Sequence, residues 1–65
     1  MELSSREAEI IILVAIGFSD KEIGYKLKIS ARTVQTHVTR ICLKLKARNR
    51  THAVTKFILK SYGTK

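Results

Sequence analysis

Two serines in this chain, Ser4 and Ser19, are each followed three residues later by a glutamate, Glu7 and Glu22. This is the capping-box spacing: serine accepts from an orphan amide of the first helical turn, and glutamate reaches back to the cap's own amide. Ser30 and Asn49 precede two further apolar-periodic runs and are candidate caps without the glutamate. Four caps in 65 residues leave room only for short helices, so the chain is expected to be all-α. The helices are placed near 5–16, 20–27, 31–45 and 50–61. Gly17 is suited to end the first in a left-handed conformation, and Gly63 lies just past the last.

The third segment needs a check, because "RTVQTHV" is rich in strand-favouring residues. Strict alternation would put Val34, Thr36, Val38 and Arg40 on one face, and Arg40 spoils it. Helical spacing instead aligns Val34, Val38, Ile41 and Leu45 at i, i+4, i+7 and i+11, so helix is the better reading. The last segment aligns Ala53, Val54, Phe57, Ile58 and Ser61 in the same way.

A chain of this length is a single domain over residues 1–65 and buries only about 60% of its unfolded surface. No apolar run reaches the ~18 residues of a membrane span, and no secretory leader is read after Met1. Cys42 is the sole cysteine, which excludes an intrachain disulfide and fits a reducing, cytoplasmic setting. With only Cys42, His37 and His52 as soft ligands, no zinc site is expected. No paired carboxylates, phosphate-cradling glycine loop or nucleophile beside a base is visible, so neither an enzyme nor a cofactor is expected.

The charge is one-sided. The net charge is +8, and all five acids (Glu2, Glu7, Glu9, Asp20, Glu22) fall in the first 22 residues. From Ala31 onward there are nine basic residues and no acid. A balance of this kind implies a polyanionic partner. If Val34, Val38, Ile41 and Leu45 face a core, the opposite face carries Arg32, Gln35, Thr36, Thr39, Leu43 and Lys46, flanked by Arg40 and Lys44. Glutamine can pair with an adenine edge, threonine offers a hydroxyl or a methyl, and arginine pairs with guanine or phosphate. That composition suits a helix in the major groove of double-stranded DNA. The preceding short helix has Ile23 and Leu27 at i, i+4, with Gly24 small where a second helix approaches. The three-residue turn Lys28 to Ser30 makes the pair a helix-turn-helix. Lys21 at the start of the first helix would sit near phosphate with that helix's amino end. The reading from another class is a basic protein-interaction or membrane-surface module, with Lys56 and Lys60 beside Phe57 and Ile58.

The stretch Leu3 to Val54 resembles the LuxR/FixJ/GerE-type helix-turn-helix domain of bacterial transcription regulators. The resemblance rests on "LSSRE" at Leu3 to Glu7, "GFSDKEI" at Gly17 to Ile23, "TVQTHVTRI" at Thr33 to Ile41, and "KL" with "RNRTHA" between Lys44 and Ala53. It implies a four-helix domain with helix 3 in the major groove, used for sequence-specific control of transcription. Such a domain serves as the output of a response regulator or autoinducer receptor, or as a small stand-alone regulator. By the same resemblance, Gln35, Thr36 and Thr39 reach bases, while Lys21, Thr33 and Lys44 meet phosphate. Arg32 and Arg40 join them as candidate phosphate contacts. The resemblance further implies a homodimer through helix 4, for which Val54, Phe57 and Ile58 are candidates, although these residues equally serve to close a core. Two copies would span half-sites about 10 bp apart. An N-terminal receiver or sensor domain and RNA polymerase are candidate partners.

Several residues depart from the family pattern. Asp20 stands where asparagine is usual, Gln35 where lysine is frequent, Leu43 where a charge is common, and Lys46 where glycine follows helix 3. In helix 1, Ala8, Ile12 and Ile16 fall at i, i+4, i+8, where polar residues are usual. A helix apolar all round is buried or forms an interface. Ile12 and Ile16 are therefore expected to meet a partner domain or a second subunit.

Overall fold

The computed structural model describes the backbone of residues 2–62 and the side chains of residues 2–60. It contains α1 (Ser5–Ile16), α2 (Asp20–Leu27), α3 (Ala31–Leu45) and α4 (Arg50–Tyr62), and no strand among the described residues. Gly63 and the Ser61 side chain lie outside them.

Each helix begins where its cap directs. Ser4 Oγ accepts from the Glu7 amide at 3.1 Å, and Glu7 Oε1 accepts from the Ser4 amide at 2.8 Å. Ser19 and Glu22 repeat both bonds at 3.1 and 2.8 Å. Ser30 Oγ accepts from the Thr33 amide at 3.0 Å, and Asn49 Oδ1 from the His52 amide at 2.8 Å. Every α-helix leaves its first amides without an internal partner, and these side chains supply one.

The ends are left-handed. Gly17 takes φ 116°, and its N–H donates to the carbonyls of Leu13 and Val14. Lys28 and Lys46 end α2 and α3 at φ 60° and 55°, a region that costs a residue with a Cβ about 1–2 kcal/mol. Lys46 thus keeps the backbone turn that glycine would make more cheaply.

The core joins Ile10 and Ile11 of α1, Ile23 of α2, Val34, Val38 and Ile41 of α3, and Ala53 of α4. Fully burying one isoleucine or valine contributes roughly 1.5–3 kcal/mol, so these few residues hold the domain together. Leu3, Phe18, Leu27, Ile29, Leu45 and Phe57 close its edges. The start of α1 shares a groove with the end of α4, and its end shares one with the start of α4, so the two run antiparallel. Helix α3 packs against all three other helices. Gly24 permits its close approach to α2: a Cβ there would stand 2.6 Å from the Ile29 carbonyl oxygen and 3.3 Å from the Ala31 nitrogen. The tight turn between α2 and α3 therefore requires a residue without a side chain.

Candidate nucleic-acid interface

Helix α3 is held by one face and bare on the other. Val34, Val38 and Ile41 are buried, while Arg32, Thr33, Gln35, Thr36, Thr39, Arg40 and Leu43 are all exposed. The helix is anchored in the core along its length, so the outer side chains sit on a rigid rod rather than on a loop. Local hydrogen bonds orient two of them. Thr36 Oγ1 donates to the Arg32 carbonyl at 3.2 Å, which directs its hydroxyl proton inward. Its oxygen lone pairs and methyl then remain for a partner, so Thr36 can accept from a base amino group or pack on a methyl. Thr33 Oγ1 lies 2.8 Å from Ser30 Oγ, which couples it to the cap.

The acids are drawn away from this face. Glu7 is only 4% exposed, and Lys44 Nζ reaches its Oε1 at 2.7 Å. The Lys44 hydrogen bond, helped by the Ser4 amide, holds the Glu7 carboxyl below its ordinary value against the opposing effect of burial. Asp20 Oδ1 lies 2.7 Å from Arg50 Nη2, outside hydrogen-bonding alignment, as an ion pair between the starts of α2 and α4. Glu9 meets Arg6 at 3.5 Å on the surface of α1. Among the described residues, no ion pair holds Lys21, Arg32 or Arg40.

The structure brings most of the sequence-derived candidates to one side and separates others. Gln35, Thr36, Thr39, Arg32 and Arg40 share the outer half of α3. Lys21 is exposed at the start of α2, beside a shallow hollow lined by Phe18, Glu22, Tyr25, Lys26 and Lys28. Lys44 is different: its ammonium is engaged with Glu7, which the spacing of 37 residues did not foreshadow. Ile12 and Ile16 are 46% and 65% exposed, whereas Val54 and Phe57 pack partly against the core. Ile58 is exposed, and so is Leu59, which the helical stripe did not pick out. His52 is half-buried, and its Nδ1 accepts from the Arg48 amide at 3.0 Å. His37 is half-buried on α3, and Cys42 packs against the core edge. No group of three or more His, Cys, Asp or Glu able to hold a metal occurs among the described residues.

The sequence that builds this arrangement has known relatives. The family model described as "Bacterial regulatory proteins, luxR family" matches residues 1–57. The chain belongs to the luxR family of bacterial regulatory proteins. The response regulator protein VraR of Staphylococcus aureus is 46% identical over 52 residues, which is 80% of this chain and 25% of that protein. The proteins of the same name from Staphylococcus saprophyticus and Staphylococcus epidermidis match to the same extent. This luxR-family chain thus spans about a quarter of the length of the curated relatives it matches. No helix among the described residues is long and apolar enough to cross a membrane.

Proposed function

We propose that this domain binds double-stranded DNA sequence-specifically to regulate transcription, as the output domain of a response regulator. The observation that carries the reading is the outer face of α3: polar and basic apart from Leu43, free of acids and backed by a buried stripe. In this reading Gln35, Thr36 and Thr39 meet base edges. Lys21, Arg32, Thr33 and Arg40 hold the phosphates, with the amino end of α2 adding its partial positive charge. Lys44 acts behind them by tying α3 to α1 through Glu7. A single recognition helix covers one half-site, so the working form is a homodimer on half-sites about 10 bp apart. A receiver domain joined to this one would supply the signal, RNA polymerase would be the downstream partner, and the setting would be cytoplasmic.

Selection from a random duplex library, followed by titration of the winning site, tests this reading. Wild type is expected to enrich a short repeated motif, and Gln35→Ala to discriminate less at one position of it. Binding that tracks salt alone, with no motif enriched, would instead favour a basic module that recognises polyanions by charge.

A further inference from the structure

Leu43 contributes nothing to the core. It is 73% exposed on a helix whose apolar face is Val34, Val38 and Ile41. An α-helix turns about 100° per residue, so Leu43 lies within about 20° of both Arg32 and Thr36 around the axis. It therefore stands on the centre line of the outer face, not on its flank. The rise of about 1.5 Å per residue puts it about 10 Å beyond Thr36, close to three base-pair steps. Its exposed neighbours on the same side are Thr39, Arg40 and Lys46. They are polar or cationic, so Leu43 is a single apolar group inside a surface suited to nucleic acid. A protein pocket for Leu43 would be matched by further apolar residues around it. The other strongly exposed aliphatic side chains, Ile12, Ile16, Ile58 and Leu59, are on α1 and α4 instead.

The major groove offers one apolar feature on its base edges, the 5-methyl group of thymine. We propose that Leu43 is a specificity residue that packs on the 5-methyl of a thymine, about three base pairs from the base met by Thr36. The inference rests on the DNA-reading function proposed above. It assigns recognition to the fourth turn of α3 as well as to the second and third. It also gives a physical role to an apolar residue at a position where the resembling domains commonly carry a charge.

The test uses the duplex site enriched by wild type, with each thymine replaced in turn by deoxyuridine, which lacks only the methyl. Wild type and Leu43→Ala are titrated on every duplex. The side chain is largely in solvent, so its truncation leaves the fold intact. At one thymine, wild type is expected to lose about fourfold in affinity, the effect of one apolar carbon leaving a dry contact, while Leu43→Ala loses nothing further there. If every methyl removal affects the two proteins equally, the assignment of Leu43 is overturned and the DNA reading stands. If wild type enriches no site at all, both fall together.

Discussion

Glu7 does three things with one carboxylate: it completes the α1 capping box, accepts from Lys44 Nζ, and ties α1 to α3 across 37 residues of sequence. Replacing Lys44 with methionine keeps the stem and removes the donor. The buried carboxylate is then left with the Ser4 cap alone, and stability should fall by about 2 kcal/mol. Urea unfolding of Lys44→Met beside wild type measures this. The pH dependence has a definite sign. The folded state holds the Glu7 carboxyl below its ordinary value, so the unfolded chain takes up a proton first as pH falls. The stabilisation is complete above the unfolded value near 4.5 and is lost as pH drops through the lowered folded value. Lys44→Met should flatten that acid limb. Equal acid limbs for the two proteins would show that the ion pair does not set the Glu7 titration.

At the scale of elements, the helix starts were legible because capping is local: Ser4, Ser19, Ser30 and Asn49 each act on the amide three residues on. The core stripe of α3 was legible for the same reason, since periodicity is a property of one segment. Contacts between segments were not. Neither the Glu7–Lys44 nor the Asp20–Arg50 pair leaves a mark in spacing, because a charge's partner is chosen by packing. The partial burial of Val54 and Phe57 was undecided for a related reason: a helical stripe shows which residues share a face, not how much of that face a neighbouring helix covers. Gly24 falls between the two cases. Its smallness was readable, but the atom it must clear, the Ile29 carbonyl, belongs to the turn. Gly24→Ala should therefore cost about 2 kcal/mol and weaken DNA binding as α3 shifts outward, which thermal melting and titration together would show. Lys46→Gly should act oppositely. Glycine takes the left-handed turn without the Cβ penalty but loses more backbone freedom on folding, leaving a net gain of about 0.5 kcal/mol, read as a higher urea midpoint.

Over the whole molecule, the fold brings together part of the charge that is segregated along the chain. The acids of residues 1–22 include three that are held in ion pairs, two of them to basic residues from the second half of the sequence. Those pairs engage Lys44 and Arg50, so that of the proposed cationic phosphate contacts Lys21, Arg32 and Arg40 are the ones in no ion pair among the described residues. Each neutralised phosphate contributes a slope of about 0.9 to the fall of log affinity with log salt. One copy should then show a slope near −2.7, and two copies on adjacent half-sites about −5.4. Arg40→Ala should lower the magnitude by about 0.9 per copy and leave sequence preference unchanged, because a phosphate contact carries no base information. Lys44→Met should leave the slope unchanged even as it weakens the fold, since its charge is already spent on Glu7. Titration of wild type and both variants at several salt concentrations separates the two roles. A slope that drops by the same amount in Lys44→Met as in Arg40→Ala would mean that the lysine leaves Glu7 for phosphate when DNA binds.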